Sequence, residues 1–256
     1  METRCGTQVR CGMHKLGQTR SANRRDHLLL TPDTFVRTLL PCVERGTVVV
    51  HVSPASGAGF TQYTADLDPG GVLNAVSAQR FVYVLAGDVD VVADSEIHKL
   101  EPGGYAYVPA GVDGRVKART AARLTVIEKH YEPLAGVEQP VLFIGEEARV
   151  ESSALNGDED LQVRTLLPDD LQFDFAVNTM SYRPGSSLSQ VEIHVMEHGL
   201  LMLEGGGIYR LGDSWYPVTA GDFIWMAPYC PQWFGALGKT AAKYLIYKNW
   251  NRHPLG

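Results

Sequence analysis

Phe81-Val-Tyr-Val-Leu-Ala-Gly87 and Gly199-Leu-Leu-Met-Leu-Glu-Gly205 lie 118 residues apart and read alike, each an apolar run closed by glycine. A second pair keeps the same offset: Leu100-Glu-Pro-Gly-Gly-Tyr-Ala-Tyr-Val-Pro109 and Val218-Thr-Ala-Gly-Asp-Phe-Ile-Trp-Met-Ala227. Upstream, Asp68-Pro-Gly70 answers Arg183-Pro-Gly185, with three extra residues following it in the second copy. Three matches in the same order identify a tandem repeat. The join falls near Gly145 to Asp158, where polar residues and glycine gather.

Each copy is built from short runs rich in β-branched and aromatic residues, such as Thr47-Val-Val-Val-His-Val52, Arg80-Phe-Val-Tyr-Val-Leu85 and Leu124-Thr-Val-Ile-Glu128. Gly, Pro or Asp bounds every run, which predicts many short strands and a barrel or sandwich rather than helices. Hydrophobic residues are 45% and charged residues 20% of the 256, the balance of a globular protein that needs no metal or disulfide merely to fold. The net charge of −6 without a Lys/Arg block argues against nucleic-acid or anionic-membrane partners. No apolar run approaches the ~18 residues of a membrane span. Residues 1–25 read as a polar arm without the apolar stretch of a signal peptide. Cys5, Cys11, Cys42 and Cys230 are too few and too irregular for a disulfide framework, so reduced thiols and a cytoplasmic location are expected.

The strand and turn order of each copy resembles the cupins, over roughly residues 45–130 and 160–250. The resemblance implies an all-β bicupin of two tandem antiparallel jelly-roll barrels, divided as 26–150 and 151–256. Cupins hold a metal on an HxHxxxxE-like strand and a later turn. In the second copy the first of these reads Val191-Glu-Ile-His-Val-Met-Glu-His-Gly199. Val191, Ile193 and Val195 favour a strand, and on a strand residues of equal parity share a face. Glu192, His194 and His198 then point together while Glu197 points away. In Met226-Ala-Pro-Tyr-Cys-Pro-Gln-Trp233, Gln232 stands where cupins usually carry their last histidine. One carboxylate, two imidazoles and an amide oxygen suit Mn²⁺, with Fe²⁺ or another divalent metal as alternatives. The repeat offset places Asn74, Val76, Arg80 and Gly114 at the same four positions of the first copy. That set cannot ligate a metal, so the first barrel is expected to carry none.

The second half resembles the (S)-ureidoglycine aminohydrolases more specifically. The residues that carry the likeness are the Glu-x-His-x₃-His run, Gly205-Gly-Gly-Ile-Tyr209, Pro231-Gln232 and Lys243-Tyr-Leu-Ile-Tyr-Lys-Asn-Trp-Asn-Arg-His-Pro254. His27-Leu-Leu-Leu-Thr-Pro-Asp33 is similar to the opening of that family. The resemblance implies Mn²⁺-dependent hydrolysis of (S)-ureidoglycine to (S)-ureidoglycolate and ammonia, a step of allantoin breakdown. It also implies Glu192, His194, His198 and Gln232 as metal ligands, and Tyr209, Tyr244 and Lys248 as catalytic, substrate-contacting residues. Tyr244 and Lys248 independently share parity on the last strand, and Lys248 would pair with the substrate carboxylate. A small ureido compound is the expected partner, and a homo-oligomer the expected assembly. Two rival readings remain at this stage: an Fe(II)-dependent cupin dioxygenase, and a non-enzymatic bicupin that binds a small metabolite.

Overall fold

A computed structural model describes residues 18–252, so Cys5, Cys11, most of the polar arm and the terminal His253-Pro254 lie outside it. Among the described residues the chain forms antiparallel strands, interrupted only by the short 3-10 turns Pro32–Thr34, Pro54–Ser56 and Glu147–Arg149. One nine-stranded sheet runs in the order Phe143–Glu146, Gly104–Val108, Gln79–Ala86, Ala122–Lys129, Thr61–Leu73, Arg115–Ala118, Val89–Ala93, Glu96–Leu100, with Val43–Val52 also paired to Thr61–Leu73. An eight-stranded sheet runs Ala22–Asn23, His27–Leu30, Phe223–Met226, His198–Glu204, Ala242–Asn249, Phe175–Tyr182, Asp158–Thr165, Ser153–Leu155. Ser214–Thr219, Gly206–Leu211 and Gln232–Ala236 make a third sheet that covers the second barrel. The all-β, two-barrel expectation is met, and register preserves the repeat: Arg80 pairs with Val108, and His198 with Met226.

Strand alternation explains why the runs are apolar on both faces. Val82 and Val84 enter the first barrel's interior, while Phe81 and Tyr83 face outward into a layer between the barrels. In the second copy Leu200 and Met202 face inward and Leu201 joins the same layer. That layer also holds Phe60, Tyr107, Phe175, Trp225 and Tyr247. Each large side chain buried there contributes roughly 1.5–3 kcal/mol.

One strand crosses the division expected at residues 26 and 151. His27–Leu30 precedes the first barrel in sequence, yet it is hydrogen-bonded to Phe223–Met226 of the second, with Leu28 opposite Trp225. Phe143–Glu146 makes the equivalent pairing in the first barrel, with Phe143 opposite Tyr107. Trp225 and Tyr107 are repeat equivalents. The segment 26–150 therefore gives the strand His27–Leu30 to the second barrel and keeps Phe143–Glu146 in its own. A histidine followed by three leucines carries no signal of which sheet edge it will join. The described end of the arm is fixed as well, because Arg20 binds both oxygens of buried Asp222, at 2.5 and 2.9 Å.

Between the barrels, buried Glu147 accepts hydrogen bonds from Tyr83 of the first copy and from Thr179 and Lys243 of the second. Burial raises its carboxyl pKa, but the hydrogen bonds from Lys243, Tyr83 and Thr179 outweigh burial and hold it below the ordinary value. Such a group contributes stability above its unfolded pKa, and that contribution is lost as pH falls through the depressed folded value. Acid titration of the unfolding free energy should therefore be steeper in the parent than in Glu147→Gln. Leu29 is fully buried in the second barrel's interior. Leu29→Ala should cost about 2–5 kcal/mol, and amide exchange should show the added opening in Phe223–Met226 rather than in the first barrel.

Candidate metal centre

Glu192, His194, His198 and Gln232 lie along one seam between the second barrel's two sheets, linked by a Glu192–Gln232 backbone bridge, a Glu192–His194 contact and the neighbouring His194 and His198 rings. His198 opens the strand His198–Glu204, and Gln232 opens Gln232–Ala236 in the three-stranded sheet. Glu192 reaches Gln232 through an isolated backbone bridge, with N–O distances of 2.8 and 2.9 Å in the two directions. The strand expected over 191–199 is thus corrected: only its last two residues are strand, and the chain bends at Val195–Met196 to cross from one sheet to the other. The crossing keeps the outcome of the parity argument by a different route. His194 Nε2 lies 3.1 Å from Glu192 Oε2, and the His194 and His198 rings stand 5.5 Å apart at 87°. Glu197 turns the other way, into the first barrel. The intervening Pro228–Pro231 turn is tied back to the same loop, since Tyr229, at φ +63°, donates its N–H to the His194 carbonyl.

Electrostatics fit a cation at this point. His198 is buried, and neither ring nitrogen makes a hydrogen bond. Burial first, then neighbouring His194, push its pKa down to about 3, so it is a neutral donor at ordinary pH. A buried imidazole with both nitrogens unpartnered is costly unless something accepts its lone pair. A divalent cation held by two imidazoles, Glu192 and the Gln232 amide oxygen meets that need with borderline-to-hard donors, and the residues therefore fit the group. Gln232 Oε1 already accepts from the Tyr209 hydroxyl at 3.2 Å, which orients the amide.

Tyr209 and Tyr244 are buried in the second barrel, and burial raises both hydroxyl pKa values well above the ordinary value, so both stay donors. The Tyr244 hydroxyl meets that of Tyr182 at 2.6 Å. Lys248 pairs in register with His198, and its ammonium sits 4.1 Å over the Trp250 ring. Burial lowers the Lys248 pKa, with Asp169 and Glu192 opposing. Two polar residues escaped the sequence reading. Tyr182 is one; the other is Asn178, opposite Ile246 on the inward face, 8% exposed and with Oδ1 unpartnered. Their shared even parity with Met180 on Phe175–Tyr182 was the available signal.

The equivalent place in the first barrel is filled. Arg80 stands where His198 does, is 2% exposed, and pairs with Glu128 at 2.7 Å while donating to the Asn74 carbonyl at 2.8 Å. Asp26, His27 and Cys230 also bring donor atoms within 4.8 Å of one another. Both His27 nitrogens are already hydrogen-bonded there, to Asp26 and Tyr216 at 2.9 Å each. Cys230 is packed into the barrel core, and burial raises its thiol pKa to about 11. A cavity of about 930 Å³ opens between the barrels at the far end of strand His198–Glu204. Asp66 and Glu147 in its lining are paired with Arg37, Arg123 and Lys243.

Known proteins agree with this architecture. Two family models match, the EutQ-like cupin domain over residues 54–131 and the cupin domain over 178–247. A protein of Arabidopsis thaliana named (S)-ureidoglycine aminohydrolase is 41% identical over 93% of this chain and 80% of its own length. One of the same name from Escherichia coli (strain K12) is 32% identical over 88% of each. The crystal structure of the E. coli protein Ylba superposes with a TM-score of 0.82 at 29% identity, over 93% of this chain and 96% of its own.

Replacing His198 with Ala should abolish retention of divalent metal through gel filtration while both barrels keep their strand content. Metal analysis and circular dichroism read the two halves of that statement; full metal content in folded His198→Ala would remove His198 from the centre.

Proposed function

The chain belongs to the (S)-ureidoglycine aminohydrolase family of bicupins, and from that premise we propose that its second barrel converts (S)-ureidoglycine and water to (S)-ureidoglycolate and ammonia, using Mn²⁺ held by Glu192, His194, His198 and Gln232. The observation that carries the reading is the buried His198 imidazole, unpartnered on both nitrogens, among those three other donors. Bound there, the cation supplies Lewis acidity and a fixed frame for substrate and water.

The chain's own groups set substrate orientation. Lys248, carried on the strand beside His198, offers a cation to the substrate carboxylate. Its partial burial strengthens that pairing relative to a solvated lysine. Tyr209 and Tyr244 keep their protons and present hydroxyl donors suited to a ureido carbonyl. Carboxylate and ureido group held at two ends leave one face of the intervening carbon toward the ligands, which accounts for a stereospecific outcome. In the reaction a C–O bond forms from water, the C–N bond breaks with its electron pair going to nitrogen, and the water proton leaves with ammonia.

The same reading has the enzyme working in the cytoplasm as a homo-oligomer, with the small ureido compound as partner rather than nucleic acid or membrane. No helix among the described residues is long and apolar enough to cross a membrane.

Ammonia release from freshly generated ureidoglycine, with a chiral readout of the product, tests the reaction. Metal-replete protein should give the (S)-product, and chelation should reduce it to the racemic background; racemic product from the replete protein would refute the assignment. Oxygen uptake during turnover would point instead to a dioxygenase. Lys248→Ala should raise KM by about tenfold or more, the scale of a lost charge-assisted bond, and an unchanged KM would remove it from the binding set.

A further inference from the structure

Among the described residues no side chain supplies His198 with the hydrogen bond that ordinarily fixes the second nitrogen and the orientation of a metal-ligating imidazole; the Tyr247 backbone on the neighbouring strand is the group close enough to act on the ring. The His198 backbone is gripped on both sides by the other barrel. On one side, the Glu197 carboxylate accepts the Gly59 N–H of the first barrel at 3.0 and 3.1 Å, and Trp225 Nε1 at 3.2 Å. Glu197 is 7% exposed, and its own N–H donates to Asn249 Oδ1 at 2.7 Å. The fit is close: a methyl group on Gly59 would stand 2.6 Å from Glu197 Oε1. On the other side, Gly199 lies against the first barrel so tightly that a Cβ would meet Gln62 Oε1 at 2.5 Å and the Phe60 ring at 2.6 Å. Phe60 is in turn stacked on Tyr247, which pairs with Gly199 across the sheet.

We propose that the first barrel serves as a positioning element for the metal centre, holding His198 in place through Glu197 and Gly199, the two residues that flank it. This rests on His198 being a ligand. It gives the barrel that carries Arg80 in place of His198 a part in the chemistry, and it makes Glu197 a positioning residue that touches neither metal nor substrate. The seat for Glu197 is specific, since a buried carboxylate without the Gly59 and Trp225 donors would be unstable there.

The test is a Mn²⁺ titration of the full chain, followed by electron paramagnetic resonance and calorimetry, on the parent and on Glu197→Ala, Glu197→Gln and Gly59→Ala. Glu197→Ala should weaken Mn²⁺ binding by about 10–100-fold, the usual effect of losing support behind a ligand, and should broaden the bound-ion spectrum. Glu197→Gln keeps an oxygen for the Gly59 N–H and should restore affinity to within a few-fold of the parent. Gly59→Ala, in the other barrel, should reproduce the loss. Parent-like affinity and spectrum in folded Glu197→Ala and Gly59→Ala would overturn the proposal. If Gly59→Ala does not fold, the Glu197 pair decides, and equal behaviour of its Ala and Gln variants overturns it. A parent that takes up no metal would refute the ligand quartet itself, which separates that failure from failure of the positioning role.

Discussion

The apolar layer between the two barrels is the constraint on which the rest of the molecule depends. Its strands bury one face in their own barrel and the other against the neighbour, so neither barrel can present its outer face to water without exposing Phe60, Tyr107, Phe175, Trp225 and Tyr247. That double burial explains the runs that read as apolar on both parities, such as Phe81 to Leu85 and Gly199 to Leu203. His27–Leu30 reinforces it, because this strand leads the first copy in sequence yet extends the second barrel's sheet and so ties the two barrels together.

The proposed metal centre sits at the edge of this layer, and its position follows from the same packing. His198 is the first residue of a central strand; the residue before it and the residue after it both reach the first barrel, while its own side chain turns inward. The three-stranded sheet supplies Gln232, and the bridge to Glu192 closes the loop between the sheets. A ligand set drawn from two sheets and a loop needs those sheets held at a fixed distance. The bridge and the Tyr229 N–H to His194 carbonyl bond do this locally.

Much of this was legible in the sequence. A constant offset across two pairs of motifs established the repeat, and register in the structure reproduces it at Arg80–Val108 and His198–Met226. The four proposed ligands were implied by the resemblance to the cupins, with strand parity favouring Glu192 over Glu197. The conformation of 191–197 was not legible, because Val191, Ile193 and Val195 favour extended backbone in either a strand or an extended loop. Nor was the destination of His27–Leu30, since a run of three leucines matches many sheet edges. Asn178 and Tyr182 were hidden for another reason. A polar residue in a strand reads as solvent-facing until the partner that buries it is known, and each of these is buried by contacts more than 50 residues away.

Comparison of the two barrels shows why the difference between them is not one substitution deep. Arg80 and Glu128 face each other on adjacent strands, at the place where the second barrel has His198 and Lys248. In the first barrel the buried guanidinium is neutralised by its neighbour, an arrangement costly to break from either side. Arginine at 198 would put two cations together beside Lys248, and histidine at 80 would leave Glu128 without its partner. The two positions are coupled, so each barrel keeps a self-consistent pair: an ion pair in one, and in the other a neutral imidazole beside a lysine. The lysine tolerates that neighbour because burial keeps His198 uncharged. The proposed cation-binding centre and the lysine proposed to anchor the substrate can therefore share adjacent strands, with Glu192 as the nearby negative charge.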